Sequence, residues 1–148
     1  MKTVMIAGKW DPVHDGHIEH IWAASKLGDY LYIVAHPDGV IKQMKSGKCE
    51  IPYWAKLVLL NGIMKHYGIE GSVICSIDND GLVAETLRMI RPDVFAKGGP
   101  YNPNNLPTPE IKACDEIGCK IAYGVGGYGK INNSSQMDIV RSSVSNTL

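Results

Sequence analysis

Short apolar runs rich in β-branched residues recur along the chain at 3–7, 30–35, 72–77, 93–96 and 120–123. Turn residues close them, as Gly8 closes the first and His36-Pro37-Asp38-Gly39 the second. This is the pattern of strands buried in a parallel sheet. Helical spacing fills the gaps. Ile18, Ile21 and Trp22 recur at helical intervals after His17. Leu57, Leu60, Met64 and Tyr67 form an apolar stripe, with Lys56, Asn61 and Lys65 read as its polar side. Val83, Leu87 and Ile90 form a shorter stripe, stopped by Pro92. Pro109 suits the first turn of a helix over 110–117, and Gly118 suits its C-terminal stop. A last helix is expected from about Ser134, carrying Met137, Val140 and Val144.

The order is βαβαβαβαβα. It predicts an α/β fold, a Rossmann-like open five-stranded parallel sheet with helices on both faces. Such sheets bind ligands beyond the carboxyl ends of their strands, where the strand order reverses. The loops that matter are therefore 8–16, 36–52, 97–107 and 124–133, the second read as loop throughout.

The chain has 148 residues and 16.2 kDa, the size of one domain spanning 1–148. Hydrophobic residues make up 45% and charged residues 20%, which is a globular composition. Lys+Arg and Asp+Glu are 15 each. That balance argues against a broad basic face, so no nucleic-acid partner is expected. No apolar run is long enough for a bilayer, so no membrane partner is expected either. The apolar start of the chain is too short for a signal peptide, and a cytoplasmic location is expected. Cys49, Cys75, Cys114 and Cys119 form no CxxC pair and read as reduced structural thiols. Tyr53 and Trp54, at a helix start, are assigned to the core.

The unusual chemistry follows the first strand, in Gly8-Lys9-Trp10-Asp11-Pro12-Val13-His14-Asp15-Gly16-His17. Two histidines flank a glycine at the entry to a helix. A helix N-terminus offers unpaired N–H groups and partial positive charge, which favour phosphate. Gly16 allows close approach, and two imidazoles can donate to phosphate oxygens. The arrangement suits phosphoryl or nucleotidyl transfer. A rival reading takes His14, His17 and His20, with Asp11 and Asp15 nearby, as a metal site serving hydrolysis. His66 reads as a solvated surface residue, and His36 as either a lining residue or a bystander. Elsewhere, Lys42, Lys45 and Lys48 fall in the second loop, where ammonium groups can neutralise a triphosphate or simply face solvent. Lys97-Gly98-Gly99 at the fourth strand's end suits an anion or a close backbone approach. Asn133, Ser134 and Ser135 can cap a helix or hold a phosphate at its start.

Gly8, Asp11, His14, Gly16 and His17 match the GxxDxxHxGH motif. In this the chain resembles the cytidylyltransferase-like nucleotidyltransferases. Ile18-Glu19-His20-Ile21 and Gly28-Asp29-Tyr30-Leu31 are similar to that family as well. Lys97-Gly98-Gly99-Pro100-Tyr101, after Arg91-Pro92-Asp93-Val94, resembles the KGGDY segment of ADP-heptose-synthase-type adenylyltransferase domains, with Pro100 in place of the aspartate. Asn133-Ser134-Ser135 resembles the family's STT motif. Lys9 stands where a small hydroxyl residue is usual, and Cys49 and Lys56 stand where an arginine pair is common.

The resemblance implies transfer of a nucleoside monophosphate from an NTP to a phosphorylated small molecule, with loss of pyrophosphate. It implies His14, His17 and Lys45 as catalytic residues. It implies nucleotide contacts from Gly8, Lys9, Trp10, Asp11, Gly16, Lys42, Lys97, Gly98, Asn133, Ser134 and Ser135. Mg²⁺ is expected to be held mainly by the nucleotide phosphates, with no metal ligands from the protein. A sugar or alditol phosphate is the favoured acceptor, with ATP narrowly ahead of CTP. The alternatives are a cytidylyltransferase for glycerol-phosphate or ethanolamine-phosphate acceptors, and a nucleotide-binding module without turnover. A homodimer is expected.

Overall fold

The computed structural model describes residues 1–126. Its elements are β1 (Thr3–Gly8), α1 (Asp15–Ser25), β2 (Tyr30–Ala35), α2 (Asp38–Met44), α3 (Tyr53–Tyr67), β3 (Gly71–Cys75), α4 (Ala84–Ile90), β4 (Val94–Ala96), α5 (Thr108–Ile117) and β5 (Lys120–Ala122). The five strands form one all-parallel sheet in the order β3-β2-β1-β4-β5. The Rossmann-like fold expected from the sequence is therefore present.

Alternation along β1 builds the two layers. Val4 and Ile6 enter one core with Ile21 and Ala24 of α1 and Leu60 and Met64 of α3. Met5 points the other way, joining Leu87 of α4 and Ala113 and Cys114 of α5 around Phe95. The chain crosses to one face after β1 and to the other after β4. A crevice must open between β1 and β4, where the connections diverge.

Helix ends follow local chemistry. Gly118 ends α5 at φ 70°, in the left-handed region, and receives the stop that its sequence predicted. Arg91 ends α4 in the same region and Pro92 follows. Strand β3 is shorter than expected. Its pairing ends at Cys75 opposite Ala35, and the Ile77 N–H turns to the Thr86 hydroxyl at 3.0 Å.

Three expectations are corrected. Residues 38–44 form helix α2 inside the segment read as loop, because Val40 and Ile41 bury on one side while Lys42 and Gln43 stay in water. Lys56 lies on the buried face of α3, one turn before Leu60, and is fully buried. Trp54 is not core: it is 68% exposed, beside exposed Val58 and Leu59, and only Tyr53 packs against the core. All four cysteines are free thiols. Among the described residues no helix is long and apolar enough to cross a membrane. The helix expected near Ser134 lies outside the described residues.

Neighbouring leucines of α3 test this face assignment. Leu60 is fully buried and Leu59 is 45% exposed. Leu60→Ala should cost about 2–5 kcal/mol, and Leu59→Ala no more than about 0.5 kcal/mol, in urea unfolding.

Candidate active site

A cavity of about 330 Å³ opens at the carboxyl ends of β1 and β4. Its floor is Trp10. The chain leaves β1 through Gly8 and Lys9, and Trp10 takes φ 50° so that its ring folds back over the sheet. The indole is buried and its Nε1–H donates to the Val34 carbonyl at 2.9 Å. A Cβ on Gly8 would stand 3.1–3.4 Å from that ring, so Gly8 is what lets the indole lie down. The ring then meets His17 edge-on, with centroids 4.8 Å apart.

His14 and His17 form a capping box at the start of α1. His14 Nδ1 accepts the Gly16 N–H at 3.1 Å, and His17 Nδ1 accepts the His14 N–H at 3.2 Å. Two orphan donors of the helix are satisfied this way. A ring that accepts at Nδ1 carries its proton on Nε2 when neutral. The rings stack with centroids 3.7 Å apart and planes 18° apart, and both line the cavity. Burial, then the neighbouring His14 and His20, push the His17 pKa down to about 4. His17 is thus a neutral donor near neutral pH. His20, one turn along, lines the cavity with Nδ1 2.5 Å from the Val125 carbonyl, and burial lowers its pKa also.

Asp11 is turned away from the cavity. Its carboxylate accepts the N–H groups of Glu50 and Ile51, each at 2.9 Å, and the Lys45 ammonium at 2.9 Å. Lys56 Nζ stands 3.6 Å away, with both side chains fully buried. Burial opposes the charge, but these donors and cations outweigh it and hold the carboxyl well below the usual range. Lys45 also donates to the Asp11 carbonyl at 2.7 Å. Lys42 is exposed in the last turn of α2.

The opposite wall comes from the α4 and α5 side. Glu110 is buried, lines the cavity, and accepts the Val83 N–H at 3.0 Å. Lys97 is buried too, with Nζ 4.1 Å from the Tyr101 ring centroid and 5.1 Å from that of Phe95. Burial lowers the Lys97 pKa and raises that of Glu110, each partly countered by the other's charge. His36, at the end of β2, also lines the cavity, with Nδ1 2.7 Å from the Ser76 hydroxyl.

Of the residues expected in the site, Gly8, Lys9, Trp10, His14, Gly16, His17, Lys97 and Gly98 come together around the cavity. Asp11, Lys42 and Lys45 do not line it. Asn133, Ser134 and Ser135 lie outside the described residues. Gly98 takes the close-approach reading: a Cβ there would stand 2.5 Å from the Gly126 carbonyl. His36, left open by the sequence, is a lining residue. Glu110 and Tyr101 were missed as lining residues. The only available signal for Tyr101 was its place beside Lys97-Gly98-Gly99. Glu110 gave none, since an acid in a first helical turn is ordinary. Among the described residues no three His, Cys, Asp or Glu side chains gather as a metal site would need.

The profile of a family described as cytidylyltransferase-like matches residues 5–106. The chain is 29% identical over 134 residues to the bifunctional protein HldE of Haemophilus ducreyi. It is 30% identical over 134 residues to the protein of the same name from Yersinia pestis. Each alignment covers 89% of this chain and 25% of the relative, so the chain spans a quarter of the length of these relatives. Among solved structures, the fold is similar to that of the lipopolysaccharide core biosynthesis protein from Thermoplasma volcanium. The TM-score there is 0.62 at 21% identity, over 86% of this chain and 98% of that one. A universal stress protein family protein from Arabidopsis thaliana with AMP bound is similar at a TM-score of 0.51 and 14% identity, over 93% and 99%.

Two measurements check the electrostatics. In an NMR titration His17 should titrate near pH 4, against about 6.5 for an unperturbed histidine. Its depressed folded pKa means that its contribution to stability is complete above the unfolded value and is lost as pH falls toward 4. Asp11→Asn, which strands buried Lys56, should cost about 3–5 kcal/mol in denaturant unfolding.

Proposed function

The chain belongs to the cytidylyltransferase-like family of nucleotidyltransferases, and we propose that its reaction joins a nucleoside monophosphate from ATP or CTP to a phosphorylated small molecule. An acceptor phosphate oxygen attacks the α-phosphorus, a new P–O bond forms, and the bond to the β-phosphate oxygen breaks to release pyrophosphate. The acceptor phosphate is anionic near neutral pH, so the step needs no general base.

The stacked His14–His17 pair carries this reading. Both rings are fixed through Nδ1 by backbone N–H groups and line the cavity. Their Nε2–H groups supply two preset donors for charge developing on the transferring phosphoryl group. The N-terminus of α1 adds partial positive charge at the same place. Trp10 holds the His17 ring by edge contact and so acts as a positioning residue.

Lys45 rests on Asp11. To reach a triphosphate it must leave that carboxylate, which keeps two backbone donors and Lys56 when it does. The described residues offer no cage for a metal. Mg²⁺ is read as arriving with the nucleotide, held by phosphates and water, where it would neutralise phosphate charge. Adenylyl transfer to a sugar or alditol phosphate is the form we favour. Its support is the resemblance of Lys97-Gly98-Gly99 to the heptose-type segment.

Calorimetric titration with ATP and CTP, each with Mg²⁺, separates the two donors. Tighter ATP binding supports the adenylyl reading, and tighter CTP binding moves the assignment to cytidylyl transfer. Binding of neither overturns both. His17→Ala should slow pyrophosphate release on the order of 10²–10³. Full turnover in that variant would remove His17 from the mechanism.

A further inference from the structure

We infer that Glu110, with Lys97, sets acceptor specificity by receiving the hydroxyl groups of a polyhydroxylated phosphate ester; the inference rests on the nucleotidyl-transfer reading above. The cavity has two unlike walls. The α1 side offers imidazole donors and a helix N-terminus. The α4 and α5 side presents a carboxylate and an ammonium, 4% and 9% exposed. These two charges influence each other through the wall, yet they do not close into a direct ion pair within 4.0 Å.

Buried charges held apart are costly, and apolar residues of similar volume would serve the core as well or better. A ligand group that satisfies both must donate to the carboxylate and accept from the ammonium. A hydroxyl does both. A phosphate on this wall would satisfy Lys97 but be repelled by Glu110, and an ammonium would satisfy Glu110 but be repelled by Lys97, so neither ion suits both charges. The wall therefore suits the neutral polyol body of the acceptor, with its phosphate lying toward the histidines. Tyr101, 4.1 Å from Lys97 Nζ to its ring centroid, holds the ammonium in place through its π face.

A purely structural role is the competing account, since Glu110 also ties the start of α4 to α5 through the Val83 N–H. Glu110→Gln separates the two. The amide oxygen can still accept from Val83, but the charge and one strong acceptor are gone. The test is calorimetric binding of glucose 1-phosphate, sn-glycerol 3-phosphate and phosphoethanolamine to the intact protein, a readout independent of turnover. Glucose 1-phosphate should bind wild type most tightly. Glu110→Gln should weaken it roughly tenfold or more, as loss of a hydrogen bond to a charged group does. Phosphoethanolamine and nucleotide affinities should stay within about twofold and the unfolding midpoint should hold, an isolated site change being near-additive. Lys97→Gln should also weaken glucose 1-phosphate binding roughly tenfold or more, which keeps the test open if the Glu110 variant misfolds.

Unchanged glucose 1-phosphate binding in both variants would overturn the inference. So would equal losses on every acceptor, a loss of nucleotide affinity instead, or wild type binding phosphoethanolamine as tightly as the sugar phosphate. Selective binding through Glu110 without pyrophosphate release from any pair would support the subsite and overturn the reaction.

Discussion

The carboxylate of Asp11 ties the loop after β1 to residues 45–56, a stretch remote from it in sequence. It closes the loop after β1, takes two backbone N–H groups from residues 50 and 51, and balances one lysine before α3 and one inside it. Each attachment alone is weak after desolvation. Together they leave one arrangement in which the carboxylate is satisfied and the buried Lys56 ammonium, which makes no hydrogen bond among the described residues, keeps a counter-charge 3.6 Å away. The histidines follow three and six residues later on the same loop and helix start. Their position relative to the sheet is thus set by a residue that does not line the cavity.

The sheet supplies the other half of the frame. Because β1 and β4 are neighbours and their connections leave on opposite faces, one cavity receives α1 from one side and α4 and α5 from the other. A helix N-terminus favours anions. A buried carboxylate does not. The two chemistries therefore come from topology before any single side chain is considered. In the proposed transfer, that division would let phosphates gather on one wall and a less charged body lie on the other.

The strands were legible because each is a short β-branched run closed by turn residues. α5 was legible because Pro109 and Gly118 mark its ends chemically. α2 was not, because only Val40 and Ile41 of its seven residues are buried, too few for a period to show. Lys56 was read on the wrong face because a lysine scores as polar wherever it stands, and its partner lies 45 positions away. In the site, the histidine motif was plain, since spacing, strand and helix agree. What spacing cannot say is whether a residue touches ligand or holds one that does. Asp11 and Trp10 were both read as nucleotide contacts. Asp11 braces the loop from outside the cavity, while Trp10 lines the cavity and props His17. Glu110 was invisible because its importance comes from burial beside Lys97, a property of the packed wall and not of α5's sequence.

Under the proposed transfer, the charge state of the resting site bears on how catalysis is shared. An imidazolium at His17 would attract the triphosphate strongly in its ground state, and binding of that kind deepens the well from which the reaction must climb. Burial and the adjacent rings keep His17 neutral instead. Its Nε2–H then acts chiefly by position, and a fixed donor gains most where charge and geometry change in the transition state. Lys45, which could add full positive charge, is already occupied by Asp11. Lys56, buried under the same carboxylate, lets that charge be released without leaving Asp11 bare. Under the proposed transfer, Lys45 stays on Asp11 until a nucleotide competes for it, and orientation falls to two rings that the helix itself holds still.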